Sequence, residues 1–334
     1  MSNDKISDIL KYTAIAISCV SFICSLIVLR LIYYKKLQKN LTNKYIIQLT
    51  VSEMINNLTN ASNLINDWIG TKEFKFNERM RVCYSQMYTG LFANFFTLFS
   101  SLLIAFRIHD LLVNNSRVFK SQQTIHFSQV FSVFFCLFLT YLVWILQMSV
   151  FQEFSKVSQS YFLVIACFVG QEMTYLVISI YFIFILLIFY FCLRSYRFVN
   201  NYTKSYLLED SSVSDGEYEK LNEQVNKAKS VQKRLLLYPV CTVILFLLLI
   251  IQSFLVFFIK EKDGSTSYTM KIVNMILYII PTVSRGFIFG IVYLGTQQAF
   301  IQSLWEHLTC KACKKTPTIE PVTVNSLGEL EEEE

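Results

Sequence analysis

Charge is scarce in this sequence. Asp, Glu, Lys and Arg make up 16% of its 334 residues, against about 25% in an average soluble domain. Hydrophobic residues reach 54% and aromatics 16%. So little charge cannot cover the surface that so much apolar material would need covered, which excludes an ordinary soluble domain and points to a polytopic membrane protein. A cleavable leader is not expected either. The opening MSNDKISDILKY is mixed in charge and passes into an apolar run that ends in the basic stop YYKK, so the first helix serves as its own insertion signal.

What fills the chain instead is a series of seven apolar runs, at about 12–34, 45–66, 84–111, 128–151, 172–193, 235–259 and 272–295. A helix rising about 1.5 Å per residue needs about 20 residues to cross the hydrocarbon layer, and every run qualifies. The second is the least apolar. The expected fold is an all-α membrane protein, a seven-transmembrane helix bundle with a short amphipathic eighth helix.

Against these spans further absences become informative. Histidine occurs three times, at His109, His126 and His307, all placed in loops or the tail, so no clustered metal ligands and no metal site are expected. No Asp lies deep in a span, which excludes a paired-aspartate protease. The last span has its lysine, Lys271, at one end, roughly 20 Å from Arg285, and so offers no mid-membrane amine for a retinal-type Schiff base. No self-similar halves with matching broken helices mark an inverted-repeat transporter. Neither catalysis nor a cofactor is expected.

Basic residues set the orientation. Lys35, Lys36, Lys39 and Lys44, then Arg117 and Lys120, then the set from Arg194 to Arg234, then Lys311, Lys314 and Lys315 fall on one side. The opposite loops dilute their lysines with Asp67, Glu73, Glu78, Glu153, Glu261 and Asp263. The N-terminus is therefore placed outside and the C-terminus in the cytoplasm. The acceptor sequons at Asn40, Asn114 and Asn201 fall in loops assigned to the cytoplasm; either they are chance matches in an Asn-rich chain or glycans on them overturn the topology. Of the nine cysteines, only Cys83 and Cys167 fall on the outer face, where an oxidising compartment favours a disulfide between them over two free thiols.

Polar residues outline the interior. On the second helix Gln48, Ser52, Asn56 and Asn60 follow at four-residue steps, with Glu53 and Asn57 on the adjoining stripe. Unpaired polar groups in hydrocarbon are costly, so this helix belongs in the middle of a bundle. The third helix answers with Gln86, Gly90, Ala93, Thr97, Ser101 and Ala105, small enough for close approach. Glu53, Asn57 and Asn94 form the expected polar core. Glu53 and Arg285 are intramembrane charges, and each is either functional or purely structural, as a buried pair or with Glu53 protonated. Asp67, Gln86, Glu172 and Arg285 are the candidate ligand contacts in the outer half.

Four stretches carry a family resemblance: QLTVSEM in the second helix, CYSQMYTGLFANFFTLFSSLLIAF in the third, RLLLYPV at the foot of the sixth, and SRGFIFGIVYLG ending the seventh. On these the chain, over roughly residues 10–310, resembles the cyclic-AMP-receptor-like (class E) seven-transmembrane G-protein-coupled receptors. The resemblance implies an extracellular ligand, cyclic AMP among the candidates, and a heterotrimeric G protein inside. The chain departs from the pattern at Phe289, where the family tends to have Asn, so a polar partner expected near Glu53 is missing. An Asp-Arg-Tyr triplet is absent too. Arg107, about 24 residues and roughly 36 Å past Cys83 along a helix, reaches the inner face as a partner contact or a snorkelling arginine.

Pro239 falls inside a helical pattern that begins with EYEKLNEQVNKAKSVQKR, where Glu223 and Lys227 pair at four-residue spacing. It kinks the foot of the sixth helix, as a hinge in the receptor reading or as a static bend. Pro281 weakens the seventh helix above Arg285. Arg107, Arg197, Lys233 and Arg234 are the expected G-protein-facing residues. Ser212 and Ser214, each with an acid three residues on, suit phosphorylation or belong to a solvated linker. Past Gly295, Phe300, Ile301, Leu304, Trp305 and Leu308 share one helical face, as an interfacial helix requires. Cys310 and Cys313 beside Lys311 suit S-acylation. The expected organisation is an extracellular N-terminus (1–11), the bundle (12–295, inner loop 194–234), the amphipathic helix (296–309) and an acidic cytoplasmic tail (310–334). The expected function is a G-protein-coupled receptor at the plasma membrane that binds a small-molecule or peptide ligand and contacts membrane lipid but no nucleic acid. The alternative is a transporter or ion channel.

Overall fold

A computed structural model describes residues 3–34, 41–69, 76–113, 122–149, 171–209, 236–255, 272–273, 276–277 and 279–296. Its long elements are α1 (Asn3–Tyr34), α2 (Leu41–Ile69), α3 (Phe76–Val113), α4 (Gln122–Ser149), α5 (Gln171–Glu209) and α6 (Leu236–Leu255). A π turn at Ile279–Val283 then leads into α7 (Arg285–Thr296). Among the described residues there is no strand. The chain divides into Met1–Gly290, which holds the bundle, and Ile291–Glu334, of which only the end of α7 is described.

Five of these helices, α1, α3, α4, α5 and α6, are long and apolar enough to cross a membrane. In α2 the polar stripe pulls the hydropathy down. The same stripe explains its position, because Gln48, Ser52, Asn56 and Asn60 are all buried and α2 packs between α1 and α3. A second seam joins α2 to α4. There Gln48 Nε2 donates to Ser132 Oγ (2.6 Å), Tyr45 and Ser128 share a hydroxyl bond (2.7 Å), and Gln129 Nε2 donates to the Lys44 carbonyl (3.0 Å).

α3 is the central post. Most of its apolar stretch is buried while most of that of α4 is not, and it touches α2, α4 and α5. Its small residues Ala93, Thr97, Ser101 and Ala105 have no exposed surface. The main apolar core gathers Phe95 and Phe96 of α3, Cys136 and Val143 of α4, Tyr181, Phe184 and Ile188 of α5, and Phe246 and Ile250 of α6. Phe95, Tyr181 and Phe246 meet edge to face with centroids 5.6 and 5.3 Å apart, the arrangement the ring quadrupoles favour. α4 and α5 turn Phe127, Phe134, Phe138, Phe182, Leu186 and Phe189 outward. Such a surface is at home in lipid tails and nowhere in water.

Helix limits differ from the apolar runs in an instructive way. α5 continues to Glu209, past the end of its apolar run and through Asn201, so part of the expected inner loop is helix. His109 and His126, placed in loops from sequence, lie instead within α3 and α4, His109 buried and His126 exposed. Helices outrun their apolar stretches because backbone hydrogen bonding continues into polar sequence. The helical reading of 217–234, the amphipathic segment after residue 296, and Ser212 and Ser214 lie outside the described residues.

Candidate functional site

Proline without an N–H cannot continue a regular α-helical ladder, and Pro281 sits inside the π turn. The backbone N–H of Ser284 donates five residues back to the Ile279 carbonyl (3.1 Å), and the α-helical spacing resumes with Ile288 to Ser284 (3.0 Å). Two carbonyls at the junction are taken up by neighbouring helices. Thr282 O accepts from Asn56 Nδ2 (2.8 Å) and Asn60 Nδ2 (3.2 Å) of α2, and Val283 O accepts from Ser21 Oγ of α1 (2.8 Å). Ser18 Oγ then donates to the Asn57 carbonyl (2.9 Å), tying α1 to α2 beside the same break. Asn56→Leu is expected to lower stability by about 1–2 kcal/mol, since it removes the shorter of two bonds to a buried carbonyl. Asn60→Leu should cost less, and a thermal melt of the purified protein separates the two.

One turn further along, the two intramembrane charges meet. Arg285 Nε donates to Glu53 Oε2 at 3.1 Å, and both side chains are buried. Glu53 Oε1 accepts from Thr97 Oγ1 of α3 (2.7 Å), and that hydroxyl shares a second bond with Ser52 Oγ (2.9 Å). The guanidinium carbon stands 5.1 Å from the ring centroid of Phe246 on α6, a cation–π distance. A single carboxylate thus gathers α2, α3 and α7, with α6 closing over the cation. The expectation that Glu53 lacks a polar partner because Phe289 replaces Asn is overturned. The partner is Arg285, one turn earlier on α7 and long enough to span the gap.

Gly286 makes this possible. A Cβ there would stand 2.5 Å from Asn57 Nδ2 and 2.9 Å from both the Ser21 carbonyl and Ser25 Oγ. The bare backbone lets α7 press against α1 and α2 at the level of the pair.

At the C-terminal end of α3 a second charge contact appears. Arg107 Nη1 and Asp110 Oδ2 are 3.6 Å apart, both largely buried. His109 beside them packs edge-on against Phe191 of α5 (5.4 Å). Sequence reasoning named Arg107 but passed over Asp110, although the three-residue spacing on one helix was visible.

The remaining expected site residues divide clearly. Gln86 is half-buried and donates to Ser62 Oγ (3.0 Å), joining α3 to α2. Asn94 hydrogen-bonds the Tyr181 hydroxyl. Arg285, expected to meet a ligand, has no exposed surface. Arg197 is exposed on α5, and Pro239 is buried in α6. The backbones of Asp67, Cys83 and Glu172 belong to α2, α3 and α5, but their side chains lie outside the described residues, as do Cys167, Lys233, Arg234, Cys310 and Cys313 altogether.

No protein-family model and no curated protein sequence matches the chain. Solved structures do. The crystal structure of squid rhodopsin superposes with a TM-score of 0.66 at 14% identity, covering 100% of this chain and 93% of that one. The likeness establishes the fold, a seven-helix membrane bundle of the rhodopsin type.

Proposed function

We propose that this multi-pass membrane protein is a receptor that binds a ligand in the outer half of its bundle and activates a heterotrimeric G protein at its inner face. The observation that carries the reading is the fold itself, matched to squid rhodopsin along the whole chain, with the helices tied by a buried charge pair beside the π turn that leads into α7. In this reading the polar ties let the bundle adopt a second packing, and a ligand acts by binding one packing better than the other. Membership of the cyclic-AMP-receptor-like class rests on the sequence stretches alone.

Ligand contacts are assigned to Asp67, Gln86 and Glu172. Arg285 is reached only by a ligand that opens its pair with Glu53. Cys83 and Cys167 would form the outer disulfide, detectable as a crosslinked peptide under non-reducing conditions. Arg107, Arg197, Lys233 and Arg234 would face the G protein, and Cys310 and Cys313 would be acylated. The deciding experiment is a ligand screen read by nucleotide exchange on co-expressed G proteins. Substrate flux or current in liposomes lacking any partner would replace the receptor reading with a transporter or channel.

Pro239 supplies a sharper test of the coupling. Pro239→Ala returns an N–H to α6 near its inner foot, away from the ligand contacts. Ligand affinity should stay within about twofold while nucleotide exchange falls by tenfold or so, about 1.4 kcal/mol of coupling. Exchange equal to the parent would make the proline a packing feature.

A further inference from the structure

The pair between Glu53 and Arg285 leaves hydrogen-bond donors in excess. Both carboxylate oxygens are engaged, Oε1 by Thr97 and Oε2 by Arg285 Nε. The terminal nitrogens of Arg285, each bearing two N–H groups, have no hydrogen-bond partner among the described residues, and the side chain has no exposed surface. A guanidinium keeps its charge in a protein interior, so these groups stay donors. The Phe246 face holds the cation but is a poor acceptor.

Two more buried, unpartnered donors belong to the same helix pair, Asn57 Nδ2 and Thr282 Oγ1. Thr282 lies three residues before Arg285, and its carbonyl is fixed to α2 by Asn56. Asn57 lies one turn after Glu53 on α2, with its amide nitrogen packed at Gly286, the residue next to Arg285. Among the described residues within one turn of Glu53, Thr97 and Arg285 the unpartnered side-chain acceptors are Asn57 Oδ1, Asn94 Oδ1 and the Thr282 hydroxyl oxygen itself, fewer than the N–H and O–H groups of a guanidinium, an amide and a hydroxyl.

We propose that Arg285 Nη1 and Nη2, with Asn57 Nδ2 and Thr282 Oγ1, bind a small monovalent anion of halide size between α2, α6 and α7. A halide accepts from several N–H and O–H donors at once with little directional demand, which suits donors arriving from two helices. Carboxylate and phosphate ligands are too large for a guanidinium enclosed on every side. A metal cation is repelled by the same charge. Glu53 opposes the anion electrostatically and therefore sets its affinity, so the site strengthens when that carboxylate is neutralised. None of this requires the bundle to couple to a G protein.

The test uses the full chain in nanodiscs, melted in sodium chloride, sodium bromide and sodium gluconate at matched ionic strength. Chloride and bromide should raise the melting temperature saturably while gluconate does not. Glu53→Gln should lower the apparent dissociation constant for chloride at least tenfold, and Thr282→Val should raise it severalfold. Arg285→Gln should abolish the halide response; should that variant or Glu53→Gln not fold, Thr282→Val, which keeps both members of the charge pair, decides the matter. Superimposable melts in the three salts for both the parent and Glu53→Gln would mean that water alone serves these donors, and the proposal fails. It fails equally if a halide response is indifferent to all three substitutions, since the ion would then act elsewhere.

Discussion

Arg285→Met is expected to remove most folded protein from the membrane. The substitution keeps the volume of the side chain roughly constant but leaves the Glu53 carboxylate enclosed, with Thr97 as its remaining bonding partner. Breaking a buried ion pair from one side costs about 3–5 kcal/mol, a large fraction of the stability of an ordinary domain. The cost arises from the stranded charge and not from the lost contact. Neutralising both partners, as Glu53→Gln with Arg285→Met, should therefore restore folding, because Gln at position 53 can still accept from Thr97. Detergent-solubilised yield and monodispersity by size-exclusion chromatography read both variants. If the double variant is as poorly folded as the single one, the pair contributes specific geometry that neutral groups cannot replace.

Gly286→Ala should be nearly as damaging, for a reason of space alone. The added methyl would meet the Asn57 amide at 2.5 Å and a backbone carbonyl, that of Ser21, at 2.9 Å. A carbonyl cannot rotate away, so α1 and α7 must separate and draw the Arg285 pair out of register. Overpacking of this kind costs about 1–3 kcal/mol, and more where backbone must move. Gly90 is the control. A Cβ there meets nothing closer than Thr59 Cγ2 at 3.7 Å, so Gly90→Ala should be neutral or should gain up to about 1 kcal/mol in helix propensity. Asn57→Ala in the Gly286→Ala background should recover only part of the loss, since the Ser21 carbonyl remains. Equal melting temperatures for the Gly286 and Gly90 variants would remove the close approach from the account of the fold.

The arrangement of helices was largely readable from polarity. The four-residue steps of Gln48, Ser52, Asn56 and Asn60 marked an enclosed face before any neighbour was known, because only an interior position tolerates them in hydrocarbon. What those side chains bind could not be read. Asn56 and Asn60 reach the Thr282 carbonyl across 226 and 222 residues of sequence, and a one-dimensional pattern carries no information about such a distance. The pairing of Glu53 with Arg285 was left open for the same reason. The departure at Phe289 suggested that the carboxylate was orphaned, when the compensating residue stood four positions earlier. The weakness at Pro281 was visible, but a missing N–H is compatible with a kink, a break or a π turn. Its neighbours on α1 and α2 decided between them. Histidines near the ends of apolar runs were misplaced because hydropathy reports where lipid ends and not where a helix does.

The polar stripe of α2 also bears on how the protein is made. A nascent helix enters the bilayer by its own hydropathy, and α2 is not among the helices apolar enough to do so by that measure. It must enter beside α1, already in place, or together with α3, whose Thr97 is the first group able to serve Glu53. Arg285 is synthesised 232 residues after Glu53. At roughly 5–20 residues per second of translation, the acid waits on the order of 10–50 s for its partner. During that interval the half-built chain presents a polar seam with nothing opposite it. Quality-control machinery in the membrane therefore meets this protein first as a bundle missing its seventh helix, and truncations before residue 285 should be degraded faster than truncations just after it.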